Sequence, residues 1–320
     1  MTTLADVAKK ANVSAMTVSR VINHPDKVTE ELKQLVHQAM LELDYQPNIA
    51  AKSLVSKRSH IIKVYILEEM DTTEPYYMNL LVGIARSIGK AHYSLQLVTT
   101  DGVDRGPADG CIITGFRQKD MDWIKNLKKP VVLFGENEAG FSFVDSDNYQ
   151  GIVSACKHAL DTGYQHLVYI GLELEEAFTK SREKGYIDTV TKTGQAPKIH
   201  RFENRSSAAR TFITAQKEQF AENTCFICAT DRLALGINQG LQSIGAQSIG
   251  AQIPKDFGIV GYDGVFLDQV SSPKLTTMKQ AIVEMGEACG ELLIQKIEQN
   301  DTSLRQQRFL PQLVVRESTR

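Results

Sequence analysis

Three residues near the start of the chain have the types and spacing that read nucleic-acid bases. Ala15 and Met16 can press on a thymine methyl, and Arg20, one helical turn on, can fork onto guanine O6 and N7. Farther along, Glu68, Glu69, Thr114, Glu136, Asp231 and Asp263 each stand just after an apolar run. Side chains in that position line the ligand crevice of an open α/β sheet, where acids and hydroxyls bind polar ligands. Cys225 and Cys228 form a CxxC, the spacing of a metal or redox pair. No second CxxC and no HxxxH accompanies them, and the alternation of TCFICATD places the two thiols on opposite faces of a strand, so both are read as core. No GxSxG, no HExxH and no Gly-rich phosphate loop occurs, so no enzymatic role, cofactor or metal is assigned.

The base-reading residues need a helix that holds them outward. Leu4, Val7, Ala8 and Ala11 recur at helical spacing, Asn12-Val13 makes a turn, and Ser14 is placed to cap a second helix with Thr17 three residues on. Val18, Val21 and Ile22 form the inner stripe of that helix, which leaves Ala15, Met16, Ser19 and Arg20 outward. A third helix starts after Thr29, read as its cap, and runs along Leu32, Leu35, Val36, Ala39, Met40 and Leu43 until Asp44-Tyr45-Gln46-Pro47 stops it. Two short helices joined by a tight turn and closed by a third make a helix-turn-helix, whose second helix enters the major groove. A plain three-helix bundle with a solvated face satisfies the same periodicity. Charge adds a little: residues 1–60 carry +2 and the remainder −4, within a total of −2.

The run LADVAKKANVSAMTVSRVIN, followed by KVTEELKQLVHQAMLELDYQPNIAAKSL, closely resembles the DNA-binding head of the lactose-repressor and galactose-repressor family of bacterial regulators. The D-V-A, V-S-x-x-T-V-S-R-V-x-N and Y-x-P-N-x-x-A-x-S-L elements occur in order and at the family spacing. The resemblance implies that Ala15, Met16 and Arg20 read bases, with Ser14 beside them at the start of the reading helix. It implies that Thr17, Ser19 and Asn23 face phosphates and that a hinge helix from Asn48 carries Ala51, Lys52 and Leu54 onto the minor groove. Leu54 inherits the role of a wedge at the operator centre, where unstacking is exchanged for a bend that permits more contacts. Lys52 departs from the Arg of many relatives and lacks its fork.

The remaining chain alternates strands and helices. The pattern predicts strands at IIKVYIL, YSLQLVT, CIIT, PVVLFG and HLVYIGL, with helices over Tyr76–Lys90, Met121–Leu127 and Tyr149–Gly163. A second set has strands at APKIHRF, CFICAT and FGIVGYDG, and helices over Ser181–Gly194, Ala208–Phe220, Leu233–Ile244 and Ile282–Gln299. That order gives an α/β class with parallel sheets. It resembles the family's two-lobed, periplasmic-binding-protein-like effector domain, with the chain expected to pass between lobes near Leu172, near Val265 to Asp268 and near Leu310. Arg182 matches the Arg of the family's R-x-x-G-Y/W motif and Asp263 the acid of its G-Y/F-D motif, and in relatives both hydrogen-bond the effector. The domain reading is 1–47 for the head, 48–60 for hinge and linker, and 61–320 for effector binding and dimerisation.

Composition bounds the rest. With 320 residues, 42% hydrophobic and 23% charged, the chain is long enough for two or three domains and too mixed for a fibrous or disordered class. Apolar runs as short as Val131–Phe134 and a start without an apolar leader lead to an expectation of a cytoplasmic protein without membrane contact. The resemblance implies a helix between YSLQLVT and DGCIITG, where only Thr100–Asp109 stands here, too few residues for a packed crossover helix, so the surface that helix would cover is exposed or differently paired and the family's first-lobe dimer contact is not carried over. SIGAQ occurs in tandem at 243–252, read as an enlarged surface loop. The expected partners are a pseudo-palindromic double-stranded operator, a second copy of the chain and a sugar or sugar-phosphate effector. The expected role is repression of a carbohydrate operon; control by a phosphoprotein or a purine co-repressor is the alternative, with Phe116 and Phe202 as candidate stacking residues.

Overall fold

The computed structural model describes residues 2–23, 27–45, 58–69, 75–100, 102, 104, 106–245 and 252–320. It divides into two compact units, Met1–His60 and Ile61–Arg320. The hinge residues Asn48, Ala51, Lys52 and Leu54 lie outside the described residues, as does most of the SIGAQ repeat.

Among its described residues the first unit holds three helices, α1 (Leu4–Lys10), α2 (Ala15–Asn23) and α3 (Glu30–Glu42). Their inward stripes meet in one small core of Val7, Ala8, Ala11, Val18, Val21, Val36 and Ala39. A capping box opens α1: Asp6 N–H donates to Thr3 Oγ1 while Thr3 N–H donates to Asp6 Oδ2 at 2.8 Å. Asn12, at φ 52°, takes the left-handed turn into α2, a conformation Asn tolerates better than most residues. Thr29 precedes α3 but makes no side-chain capping bond, so the capping role read for it is not realised.

The second unit contains two six-stranded sheets built on one plan. The first lobe orders its strands β11-β5-β4-β3-β1-β2, from β1 (Ile61–Ile66), β2 (Ser94–Thr99), β3 (Gly110–Thr114), β4 (Val131–Phe134), β5 (Phe143–Ser146) and β11 (Gln306–Phe309). The second orders them β12-β10-β9-β8-β6-β7, from β6 (His166–Leu172), β7 (Ile199–Phe202), β8 (Thr224–Cys228), β9 (Phe257–Asp263), β10 (Thr276–Lys279) and β12 (Gln312–Val314). All pairings are parallel except β10 with β12. The helices are α4 (Tyr76–Lys90), α5 (Met121–Lys125), α6 (Asn148–Asp161), α7 (Ala177–Lys192), α8 (Ser206–Gln216), α9 (Asp231–Gly245), α10 (Leu267–Val270) and α11 (Ile282–Glu298).

Two of the three expected crossings between lobes are displaced. The first comes at Asp147, not near Leu172: β5 lies in the first sheet, and α6 buries Ile152, Ala155, Cys156 and Ala159 in the core of the second. Strand β5 is only four residues long and ends in polar Asp145-Ser146, so its weak pattern moved the expected crossing one strand too late. The second falls at Gln280-Ala281, after β10, because α11 returns to the first lobe and packs Met285, Cys289 and Leu293 against Leu80 and Ile84 of α4. Glycines allow this close approach, since a Cβ on Gly286 would stand 2.5 Å from Leu80 O. The third crossing runs through Leu310-Pro311, between β11 and β12, as expected.

The shortened connection between β2 and β3 is fastened by polar groups. Lys63, 2% exposed on β1, donates through Nζ to Asp104 and to Gly106 O at 2.8 Å, while Tyr65 OH donates to Asp104 Oδ2 at 2.7 Å. All five cysteines are buried and unbridged, including Cys225 and Cys228 on β8. Among the described residues no helix is long and apolar enough to cross a membrane.

Candidate functional site

In the first unit, α2 presents the residues expected to read bases. Ser14 Oγ accepts from Thr17 N–H at 3.0 Å and lies 2.9 Å from Thr17 Oγ1, which fixes the helix start. Ala15 and Arg20 are exposed and Met16 is 70% exposed. Thr17 and Ser19 are half-buried on the flank, where phosphate-facing residues are expected; Asn23 ends the helix. Val18 and Val21, on the opposite stripe, are fully buried. The periodicity that hides the valines therefore displays Ala15, Met16 and Arg20.

In the second unit the strand order reverses direction beside β1 and β3 in one lobe and beside β6 and β8 in the other. Those two switch points open on one cleft of about 1290 Å³. From the first lobe it receives Glu68 and Glu69 after β1, Thr114 at the end of β3 and Glu136 after β4; from the second it receives Arg182 and Asp263. Those six expected residues line one space.

Arg182 is the best-fixed of them. It is 4% exposed, and its guanidinium lies 3.7 Å from the centre of the Tyr262 ring. Nη1 donates to Ala229 O at 2.6 Å and stands 3.9 Å from Asp263 Oδ1. Nε donates to Asn148 Oδ1 at 2.8 Å, and Asn148 Nδ2 donates to Asp145 Oδ2 at 3.1 Å. Asp145 Oδ2 also accepts from Glu136 N–H at 2.8 Å. A continuous polar chain thus runs from Asp263 in the second lobe, through Asn148 at the first crossing, to Glu136 in the first lobe. Burial pushes the Asp145 carboxyl up to about 6, against the pull of the Glu136 N–H. Asp263 sits at φ 111° with Gln280 Nε2 donating to its Oδ1 at 2.8 Å; a non-glycine residue held there is strained, a feature that concentrates at binding sites.

Asp231 is withdrawn from the site. It is 1% exposed, Thr277 Oγ1 donates to its Oδ1 at 2.6 Å and Gly264 N–H to its Oδ2 at 2.8 Å, so its carboxylate ties α9 to β10 beneath the cleft wall. Its position after β8 satisfied the strand-end rule, but its side chain turns back into the lobe. Phe202 likewise packs against Phe212 in the second core and leaves Phe116 as a cleft aromatic.

Sequence reasoning missed Arg117, Glu176, Tyr76 and Phe178, all of which line the cleft. Arg117, from the first lobe, places Nη1 3.0 Å from Glu176 Oε1 in the second and Nη2 3.9 Å from Glu68 Oε2. Burial pushes Glu176 up to about 7, with the Glu68 charge adding and Arg117 opposing. Arg117 and Glu176 stand a few residues past β3 and β6, so the strand-end rule reaches them if its window is widened.

Residues 3–48 match the profile of bacterial regulatory proteins of the lacI family, and residues 156–319 that of the periplasmic binding protein-like domain. Over 320 residues, 100% of both chains, the sequence is 48% identical to the HTH-type transcriptional regulator YvdE of Bacillus subtilis (strain 168). The chain belongs to the lacI family. Family members are transcriptional regulators and not enzymes, so the head is a helix-turn-helix DNA-binding domain and the two lobes are the periplasmic-binding-protein-like part of a regulator. Two solved structures have the same fold. One is the complex of the transcriptional regulator CelR with cellobiose, at 23% identity and a TM-score of 0.71, covering 99% of this chain and 100% of that one. The other is the Lac repressor dimer bound to operator and the anti-inducer ONPF, at 22% identity and a TM-score of 0.76, covering 99% of each.

Proposed function

We propose that this lacI-family regulator represses carbohydrate-utilisation genes, holds a pseudo-palindromic operator as a homodimer in the cytoplasm, and lets go when a sugar-type effector enters the cleft. The observation that carries the reading is the polar chain from Asp263 through Arg182 and Asn148 to Asp145 and Glu136. A ligand held by Arg182 and Asp263 acts directly on the crossing at Asn148, the joint about which the lobes must move. Only a ligand that prefers one lobe arrangement shifts operator affinity, and groups on both sides of a joint supply that preference. In the head, Ala15, Met16 and Arg20 read bases, Ser14, Thr17, Ser19 and Asn23 hold the backbone, and Asn48, Ala51, Lys52 and Leu54 form the minor-groove hinge. The cellobiose complex of CelR supports a sugar in such a cleft, and the Lac repressor supports the dimer on operator.

The test is operator binding by Arg182→Ala, measured by fluorescence anisotropy with and without a ligand that releases the parent protein. The variant is expected to bind operator normally and not to release it. If ligand strengthens binding of the parent, the protein is co-repressor driven and the proposal fails; a variant that still releases fully removes Arg182 from the site.

A further inference from the structure

Asp231 does not reach the cleft, yet it holds a stretch of backbone that does. The chain leaves β9 through Asp263 at φ 111° and Gly264 at φ 66°, two successive positive values. Glycine takes such a conformation freely, whereas a non-glycine residue keeps it only where its surroundings over-determine it. The turn is also closely packed, since a Cβ on Gly264 would stand 2.7 Å from Lys279 Cα.

The peptide group between Asp263 and Gly264 is gripped at both ends. Its carbonyl, Asp263 O, accepts from Gln280 N–H at 3.0 Å, and its N–H, on Gly264, donates to Asp231 Oδ2 at 2.8 Å. With that peptide plane held, the direction of the Asp263 side chain is set, and Gln280 Nε2, donating to Asp263 Oδ1 at 2.8 Å, fixes its carboxylate. The outcome is the Asp263 oxygen 3.9 Å from Arg182 Nη1 on the cleft wall.

Two simpler roles do not account for Asp231. It opens α9, but Thr230 caps that helix, its Oγ1 accepting from Leu233 N–H at 3.2 Å. The bond from Thr277 Oγ1 to Asp231 Oδ1, at 2.6 Å, ties α9 to β10 and uses one oxygen; the other is given to the turn. Burial and the neighbouring Asp263 charge push the Asp231 carboxyl well up, so the position draws on its oxygens as acceptors more than on its charge. Without an acceptor the buried Gly264 N–H would be left unmet, and the peptide would gain by turning toward another partner.

We propose that Asp231 is a positioning residue for effector recognition: by holding the Gly264 N–H, it keeps Asp263 in its positive-φ turn with the carboxylate beside Arg182 in the cleft. This rests on the proposed reading of Asp263 as an effector contact.

Crystal structures of full-length variants without ligand give the direct readout. In Asp231→Ala, residue 263 is expected to leave φ 111° and its carboxylate to swing away from Arg182. In Asp231→Asn both are expected to stay, because the amide oxygen still accepts from Gly264 N–H while its NH2 donates to Thr277 Oγ1. Thr277→Val, which breaks only the tie to β10, is expected to leave Asp263 unmoved. Asp263 undisplaced in Asp231→Ala, or displaced in Thr277→Val, overturns the proposal; should Asp231→Ala melt low, Asp231→Ser, too short to reach the turn, takes its place. The consequence for binding is read by calorimetry with cellobiose, maltose, ribose, glucose 6-phosphate and guanine, the tightest on the parent being carried to the variants. Asp231→Ala is expected to weaken it about tenfold and Asp231→Asn less than about threefold. Asp263→Gly keeps the turn without strain and removes the carboxylate, and adding Asp231→Ala to it should weaken the probe no further, since nothing is left to position. Losses that add in the double variant overturn action through Asp263. A probe that binds Asp263→Gly as tightly as the parent overturns instead the reading of Asp263 as an effector contact, and if none of these probes binds the parent, the structures alone decide whether Asp231 sets the turn.

Discussion

In the proposed reading Arg20 and Met16 make unlike contributions to DNA recognition, although both project from α2 into solvent. Met16 offers a thymine methyl only apolar contact, whereas the Arg20 guanidinium can make two directional bonds to one guanine. Arg20→Ala is therefore expected to cost about 1–3 kcal/mol on operator and to relax specificity at one base pair, measured by anisotropy on a panel of single-base operator variants. Equal losses on operator and on random DNA would mean that Arg20 only neutralises phosphate. At this scale the sequence was legible where the residue type left few choices. Arg182 and Asp263, matched by motif, stand 3.9 Å apart in the cleft. Asp231 shows the limit: position after a strand does not say which way a side chain turns, and the donors at Thr277 and Gly264 turned it inward.

Among the elements, the connection between β2 and β3 is held by a charge clamp. Lys63 is buried on a strand that would otherwise carry an apolar residue, and Asp104, whose side chain is 45% exposed, meets it from the loop. Removing one member of a buried pair strands the other, at about 3–5 kcal/mol when both are enclosed. The exposure of Asp104 reduces that, so Asp104→Ala is expected to cost about 2 kcal/mol by urea denaturation. Adding Lys63→Met should recover most of the loss, because the stranded charge goes with it. A change within about 0.5 kcal/mol for Asp104→Ala would show that the clamp contributes nothing measurable. Long apolar strands and the helices α4 and α11 were readable because burial on both faces writes a strong pattern. The strands β5, β10, β11 and β12 were not, since each has four residues or fewer with polar members, and their places are set by the neighbours they pair with.

Across the whole molecule, the proposed function has operator and effector compete for the arrangement of two lobes joined at three crossings. Coupling of that kind is reciprocal: a ligand that lowers operator affinity by some factor must itself bind less tightly, by the same factor, to the operator-bound protein. The sequence made the two-lobe plan and the head legible, because helix-turn-helix spacing and strand-helix alternation are local. Which residues bridge the lobes was not, since Arg117 with Glu176 and Arg182 with Asn148 meet only once both sheets are folded.

The most direct measurement takes an operator selected from random DNA by the full-length protein and determines its affinity with and without saturating effector, then the effector's affinity with and without operator. The account predicts a symmetric operator bound by two copies, weakened by effector about 5- to 150-fold, with the effector weakened equally by operator. Operator binding that no cleft ligand alters, or a shift that persists in full in Arg182→Ala, would contradict it.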